Sequence, residues 1–244
     1  MIAQIRAELL KIRTTRTTIG LILAMIALIL LFTLLTALLT HPSGLASKED
    51  QRQLLSLSSF TAVFSALAGV LLVTSEYRYG TIRPTFLFNP ARSHVLTAKV
   101  IVGAVGGLAF GIVGEVIGWA IGYAILDVRG ITIVLTSSDV LLLTFGGLAG
   151  VALWGAIGVG IGAIIHNQIG AVVTLLAWGL VVENLVFGFV RSVGRFLPSN
   201  ASDGLMGLGT DHLLSPGVAA ITLIAWAGAL GVVGIVRSVR QDIN

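Results

Sequence analysis

The 244-residue sequence contains no cysteine, which excludes disulfides, thiolate chemistry and cysteine-ligated metals. Charged residues are also scarce, at 11% of the chain against roughly 25% in an average soluble domain. Hydrophobic residues, by contrast, make up 56% of the chain. A soluble domain of this size could not bury so much apolar surface, so the composition predicts a membrane protein with several spans.

Motifs for catalysis are lacking as well. None of the three lysines follows a glycine, so the chain has no phosphate-binding loop, and no Gly-x-Ser-x-Gly elbow is present. The four histidines are scattered without the spacing of zinc ligands. The sequence therefore predicts no enzyme, no metal site and no cofactor on this chain. The net charge of +4 is small and indicates topology and lipid contacts rather than nucleic-acid binding.

Proline is rare, and all five prolines fall outside the long apolar stretches. Each of these stretches can cross a bilayer as a helix, which takes about 20 residues. The third is overlong and is expected to tilt or to protrude. We therefore predict an all-α protein with six spans, at residues 19–39, 55–74, 97–126, 140–165, 169–190 and 218–236.

The orientation follows from the distribution of lysine and arginine. Ten of these 15 residues fall on the side of the two termini and of the loop after the second span. Basic residues concentrate on the cytoplasmic side of membrane proteins. Both termini are therefore predicted to be cytoplasmic, with a very tight cytoplasmic turn at residues 166–168.

Residues 1–18 have a helical pattern of their own. Five apolar residues share one face of the predicted helix, and Gln4 and Lys11 lie opposite: Met1, Ile2, Ile5, Leu9 and Ile12. This pattern is typical of a helix in the membrane interface. The alternative is that these residues extend the first span with a basic flank.

Glycines recur at four-residue spacing in the third and fourth spans, for example Gly103/Gly107/Gly111 and Gly158/Gly162. Small residues at this spacing allow close approach of helix backbones. The pattern predicts tight packing of spans, and sliding of these spans during transport is a second hypothesis.

Two carboxylates lie inside predicted spans, Glu115 in the third and Glu183, followed by Asn184, in the fifth. A charge at mid-membrane costs at least about 2.5–3.5 kcal/mol. These residues therefore either line a translocation pathway or a proton site, or form hydrogen bonds that fix helix packing. Residues 191–215 on the outer side alternate apolar and polar stretches, which favours two short helices dipping into the outer leaflet.

The segment from Glu76 to Lys99 is the most polar and aromatic interruption of the apolar sequence. Gly80 is expected to end the helix of the second span, with Glu76 holding the local turn. Pro84 is expected to begin a short helix that presents Phe86, Leu87 and Phe88 as an apolar knob. Asn89 and Pro90 then predict an N-cap and first helical position. A docking site for a partner is one interpretation, and a solvated hairpin with basic anchors is the other.

Several segments, in order along nearly the whole chain, resemble permeases of the ABC-2 transporter type, especially the bacterial branch of antibiotic and peptide export and immunity. They are 75–83 (SEYRYGTIR), 89–92 (NPAR), 98–99 (AK), 158–168 (GVGIGAIIHNQ), 182–185 (VENL) and 196–198 (FLP). The chain departs from this family's pattern at His166, where arginine is more usual.

The resemblance implies a single permease domain over residues 1–244, in the cytoplasmic membrane of a bacterium. Within it, residues 1–18 would be an interfacial elbow helix, 75–98 a cytoplasmic coupling loop and 191–215 an outer re-entrant hairpin. Two six-span units, this chain with either a second copy or a close paralogue, would be clamped by two separate ATPase subunits, which would hold ATP and magnesium. Seven residues of the coupling loop would contact the ATPase: Glu76, Tyr77, Arg78, Gly80, Arg83, Phe86 and Leu87.

The resemblance thus implies an exporter of an amphipathic, lipid-like or antibiotic compound. The alternative is an ATP-independent protein, either a proton-coupled carrier using Glu115 and Glu183 or a membrane scaffold or immunity protein. The first hypothesis requires a nucleotide-binding partner, and the carrier requires a dependence on an ion gradient.

Overall fold

The computed structural model describes residues 1–56, 58–88, 91–208 and 212–240, and every regular element in this part of the chain is a helix. Six helical segments are long and apolar enough to cross a membrane. The predicted all-α, six-span fold is therefore confirmed. The spans are α2 (Arg16–Leu39), α3–α4 (Lys48–Leu55 and Ser58–Arg78), α6 (Arg92–Val128), α7 (Ser137–Ile164), α8–α9 (Gln168–Ala177 and Glu183–Phe189, joined by a π-helical turn at Trp178–Val182) and α12 (Pro216–Arg240).

Shorter helices lie outside these spans. They are α1 (Ile2–Thr14), a 3₁₀ turn (Pro42–Leu45), α5 (Ile82–Phe88), α10 (Arg191–Gly194) and α11 (Pro198–Leu205). The backbone at Thr15 is extended, so α1 is an element separate from α2 rather than a continuation of the first span. Two short helices also form in the segment 191–215, as predicted. The location of α1 in a membrane interface stays a prediction.

The two ends of the bundle carry different elements. At one end, α1 contacts α6, the Arg92 guanidinium donates to the carbonyl of Ser238 (3.2 Å), and Tyr77 stacks on His166. We call this end, which carries α1, α5 and the C-terminal part of α12, the terminal end. At the other end, the Arg129 guanidinium donates to the carbonyl of Thr40 (2.6 Å). We call this the hairpin end, because the α10–α11 segment enters the bundle from it.

Several helix ends have a clear local cause. At the start of α7, the Thr136 hydroxyl accepts the N–H of Asp139, and the Asp139 carboxylate accepts the N–H of Thr136 (2.9 Å). This reciprocal pair satisfies two amides that have no partner inside the helix. At the start of α8, the Asn167 side chain accepts the N–H of Gly170 (2.9 Å). The chain therefore reverses between Ile164 and Gln168, in agreement with the tight turn predicted there.

The long third span is confirmed. Helix α6 has 37 residues, which at 1.5 Å per residue is about 55 Å and exceeds a hydrocarbon thickness of about 30 Å. At least one end of α6 must therefore extend beyond the hydrocarbon, unless the helix is steeply tilted. The N-cap predicted at Asn89 and Pro90 lies outside the described residues, and α6 begins at Arg92.

The centre of the bundle is formed by α4, α6 and α7, with α12 packed against α7. Glycines allow this packing: a Cβ on Gly158 would overlap the backbone carbonyl of Ala66 in α4, and one on Gly155 would overlap that of Gly103 in α6. Tight packing through the spaced glycines is therefore observed at these positions. Gly118 is an exception, since a Cβ there would meet nothing within 4 Å. Sliding of the spans stays a hypothesis.

We expect Gly158→Ala to destabilise the protein by about 1–3 kcal/mol or more, because the added methyl would force α4 and α7 apart. Gly228→Ala in α12 is the matched control, since a Cβ there has no neighbour within 4 Å. That change should be neutral or stabilise by up to about 1 kcal/mol through helix propensity. Unfolding of the purified protein in mild detergent measures both, and equal effects would contradict the close α4–α7 contact.

Candidate partner-docking site

The loop after the second span contains a sharp turn followed by a short helix. Helix α4 ends at Arg78, and Gly80 takes the left-handed conformation (φ 69°) that favours glycine. Helix α5 then begins at Ile82, two residues before the predicted start at Pro84. Proline is tolerated there because the amides of a first helical turn have no partner within the helix.

Helix α5 presents an apolar tip to the outside. The side chains of Leu87 and Phe88 are 83% and 92% exposed, and Arg83 is exposed as well. We call these three residues the docking surface. Most exposed apolar residues of the chain lie on helices long enough to span a membrane, whereas these two lie on a seven-residue helix at the terminal end. Their exposure is therefore not explained by the length of a lipid-facing span.

Phe86 faces the opposite way, which corrects the prediction that it forms the exposed knob with Leu87 and Phe88. It is 8% exposed and packs with Ile82, Val95 and Tyr77. The Arg92 guanidinium lies 5.3 Å from the centre of its ring. Phe86 therefore fastens α5 to the start of α6 and is not free to enter a groove on a partner.

Beneath α5 lies a buried charge cluster of four residues: Glu8, Lys11, Glu76 and Lys99. The Lys99 ammonium is fully buried, and it donates to Glu8 (2.8 Å), to Glu76 (2.8 Å) and to the carbonyl of Leu72 (3.1 Å). The Lys11 ammonium donates to the same two carboxylates, at 3.0 Å and 2.5 Å. The formal charges of the cluster sum to zero. The cluster ties α1, α4 and α6 together at one point.

Within this cluster, Lys11 remains partly exposed. Burial acts to lower the pKa of Lys11, but the hydrogen bonds and charges of Glu76 and Glu8 outweigh it, so the pKa of Lys11 is raised. Lys11 is therefore charged at neutral pH. Glu76 was predicted to contact a partner and to hold the local turn, yet its carboxylate is buried and ion-paired with Lys11 and Lys99. Glu76 thus joins helices of this chain.

The remaining predicted loop residues connect α4 to the α7–α8 turn. Tyr77 stacks on His166 with ring centres 4.1 Å apart. The exposed Arg78 guanidinium donates to the Gln168 side chain (3.2 Å). Burial, with the charge of Arg237, lowers the pKa of His166, so the imidazole on Tyr77 is neutral at neutral pH. These contacts hold the end of α4, just before the turn at Gly80, against the turn between α7 and α8.

A cavity of about 610 Å³ lies between α1, α2, α4 and α5 at the terminal end. Its walls are partly apolar, with Ile12, Leu21 and Leu71, and partly polar, with Lys11 and Ser75. The volume lies within the range of about 300–1,000 Å³ for small-molecule sites. The docking surface borders this cavity through Phe88.

Glu115 and Asn184, two of the polar residues predicted inside the spans, form hydrogen bonds within their own helices. The Glu115 carboxylate accepts the indole N–H of Trp119, one turn along the same helix (2.5 Å). The exposed Asn184 side chain donates to the carbonyl of Leu180 (3.0 Å), also within its own span. Both contacts are local, and neither residue lines one of the cavities described here.

Glu183 joins α9 to α11, which enters the bundle from the hairpin end. It is buried, and its carboxylate accepts the N–H of Ser199 (2.7 Å). Ser199 lies in the first turn of α11, where amides lack partners within the helix and the positive end of the helix dipole favours an anion. Glu183 therefore acts as an N-terminal cap for α11, supplied by the neighbouring span. This contact favours the packing interpretation over a pathway role.

We expect Glu183→Gln to leave the protein folded with a stability change below about 1 kcal/mol, because the amide oxygen can still accept from Ser199. Glu183→Ala should cost about 1–3 kcal/mol, since it leaves that buried amide without an acceptor. Thermal or denaturant unfolding in detergent measures both changes. A large loss in Glu183→Gln would show that the charge itself is required.

Three residues of the structure were missed by the sequence reasoning: Glu8, Lys99 and Asp203. In the helix predicted for residues 1–18, Glu8 lies on the flank between the apolar and polar faces, whereas the structure buries it fully. Lys99 enters the predictions as a topology signal and as part of the resemblance at residues 98–99, without a partner. A lysine among apolar residues, with glutamates on neighbouring elements, was the available hint of an ion pair.

Comparison with known proteins finds no family model that matches the chain and no curated protein with a significantly similar sequence. The likeness to ABC-2 permeases therefore rests on the motifs quoted above.

Proposed function

We propose that this chain is the transmembrane permease subunit of an ATP-driven ABC exporter of the ABC-2 type in the cytoplasmic membrane of a bacterium. ATP and magnesium would be held by a separate ATPase subunit at the terminal end, with both termini in the cytoplasm. A second six-span unit, either another copy of this chain or a close paralogue, completes the transporter. The cargo is an amphipathic, lipid-like or antibiotic compound.

The observation that carries this proposal is the docking surface. Leu87 and Phe88 project from a short helix at the end of the bundle where the charge distribution predicts cytoplasm. Large apolar side chains exposed together mark interaction sites. The cationic Arg83 beside them offers a pairing group for a carboxylate on the partner.

The contacts of α5 with the spans support a role in transmitting movement from an ATPase to the bundle. Phe86 packs with Val95 at the start of α6, and one turn further along α6, Lys99 binds Glu8 and Glu76. A displacement of α5 by an ATPase would therefore act on α1, α4 and α6 together. Because α4 and α6 pack closely against α7, the displacement reaches the centre of the bundle.

The rival ATP-independent carrier is less well supported. Its two proposed proton sites, Glu115 and Glu183, accept hydrogen bonds from Trp119 and from the amide of Ser199. Each contact gives one carboxylate oxygen a partner within the chain, which provides a packing role for both residues without transport. The rival also leaves the docking surface without a role.

We expect gentle extraction of the wild-type chain from its native membrane to recover a separate ATPase, identified by mass spectrometry. The chain alone should bind no nucleotide, because it has no phosphate-binding loop. Vesicles with both subunits should transport only with hydrolysable ATP. Recovery of no ATPase, or transport driven by a proton gradient in the purified chain alone, would reject the proposal, and the latter would establish the rival.

A further inference from the structure

A second cavity, of about 230 Å³, lies where α4, α7, α8 and α11 meet. Most of its wall is apolar, and it includes two aromatic residues, Phe60 of α4 and Trp154 of α7. One carboxylate, that of Asp203 in α11, contributes to the lining. We call this space the Asp203 cavity. For scale, an apolar cavity of about 150 Å³ holds a benzene ring.

The Asp203 cavity lies deep in the bundle. The indole N–H of Trp154 donates to the Ser202 hydroxyl (2.8 Å), next to Asp203 in sequence. Trp154 lies ten residues before the end of α7 at Ile164, or about 15 Å from the terminal end of that helix. The α10–α11 segment also contacts α12: the indole of Trp226, ten residues after the start of α12, donates to the carbonyl of Phe196 (2.9 Å). The α10–α11 segment therefore carries Asp203 well below the hairpin end.

The Asp203 carboxylate has no side-chain hydrogen bond and no ion pair among the residues that the structure describes. It is partly exposed, and it lines the cavity. Its electrostatic neighbour is a second carboxylate, Glu183. A carboxylate in apolar surroundings is costly unless a cation or a proton neutralises it. Among the described residues, no lysine or arginine lies in the cavity lining, so a cationic ligand can supply the neutralising charge.

The shape and lining restrict the kind of cation. The cavity is much larger than a bare metal ion, and within the described part of the chain its lining has one carboxylate rather than a set of ligands. Aromatic faces attract organic ammonium groups through cation–π interactions. Anions are disfavoured by Asp203 and Glu183 together.

One wall also leads to the outside of the bundle. Leu180, in the π-helical turn, lines the cavity and is 60% exposed on the surface of its span. π turns inside helices are frequently found at functional sites. A ligand with its charged group at Asp203 can therefore extend an apolar body past Leu180 toward the membrane.

We infer that the Asp203 cavity binds the ammonium group of an amphipathic organic cation. The identification of such a compound as cargo, though not the binding itself, rests on the proposed exporter function.

Equilibrium binding to the purified chain in neutral detergent tests this inference without an ATPase. The probes are radiolabelled benzyltrimethylammonium and its neutral carbon isostere, (2,2-dimethylpropyl)benzene. Wild type should bind the cation at least about tenfold more tightly than the isostere, as a charge-assisted contact provides. Asp203→Asn should abolish this preference while binding of the isostere is unchanged.

Two further variants separate binding from folding. Asp127→Asn removes the same charge from an exposed position at the end of α6 and should bind the cation as wild type does. Phe60→Leu keeps an apolar wall but removes an aromatic face, and should weaken cation binding several-fold with little effect on the isostere. Equal affinity of wild type for the two probes, or an unchanged preference in Asp203→Asn, would overturn the inference. Either result would leave the ATPase test of the exporter unaffected.

Discussion

Lys99→Ala is expected to destabilise the protein by about 3–5 kcal/mol, because it leaves Glu8 and Glu76 buried with only the half-exposed Lys11 to pair them. An uncompensated buried charge is among the largest costs that a single substitution can impose. The loss should appear as a lower unfolding midpoint in detergent and as poor recovery of monodisperse protein.

Lys48→Ala is the matched control. Lys48 also binds a carboxylate, that of Asp139 at 2.7 Å, but its side chain is about half exposed. Asp139 is buried, but without Lys48 it keeps the Arg52 guanidinium at 3.7 Å and the hydrogen bonds from Thr136. The half-exposed Lys48 contributes about 0–1 kcal/mol, so this variant should unfold close to wild type. Similar losses in the two variants would contradict a special role for burial at Lys99.

A double-mutant cycle separates the charge of Lys99 from its packing. Lys99→Met keeps most of the side-chain volume and should still be strongly destabilising, since Glu8 and Glu76 remain. Adding Glu8→Gln restores a neutral cluster, in which Lys11 still pairs with Glu76 (2.5 Å). The double variant should therefore be more stable than Lys99→Met alone, as expected when buried ion pairs are replaced together rather than broken. Additive losses would contradict this coupling.

The spans were predictable because lipid imposes a simple length and composition on a helix. The turn at residues 165–167 was predictable for a similar reason: the short polar sequence between two apolar runs leaves no room for a longer loop, and Asn167 caps the next helix. A separate first helix was predicted from the helical pattern of residues 1–18, and the break lies at Thr15, three residues earlier than that boundary. Each of these features depends on local sequence.

The charge cluster was not predictable in the same way. Glu8, Glu76 and Lys99 are brought together by the packing of three helices, and their mutual distances depend on rotations that the sequence of each helix leaves open. The same holds for Asp203, whose position depends on how far α11 enters the bundle. The orientation of Phe86 could more nearly have been predicted from the sequence. Ile82 and Phe86 are four residues apart and share a helical face, but a helix begun at Pro84 excludes Ile82.

The correction at Phe86 moves the test of the docking site to the next two residues, the exposed Leu87 and Phe88. Phe88→Ala is expected to weaken assembly with the ATPase by roughly 30-fold or more, because a central aromatic anchor is commonly worth about 2 kcal/mol or more. Leu87→Ala should add to this loss. Since both side chains are almost fully exposed in the chain alone, membrane insertion and the unfolding midpoint should not change.

Phe189→Ala is the matched control for Phe88→Ala, since Phe189 is 85% exposed but ends α9 on the hairpin side of the bundle. It should co-purify with the ATPase as wild type does. Phe86→Ala should behave differently from both: the buried ring packs with Ile82 and Val95, so its removal should lower stability by about 3–5 kcal/mol. Arg83→Glu should weaken assembly through charge, and a reversal of the facing charge on the ATPase should restore part of it. If Leu87→Ala combined with Phe88→Ala assembles and hydrolyses ATP during transport as wild type does, α5 is not the docking element, and the ATPase must contact the terminal end elsewhere.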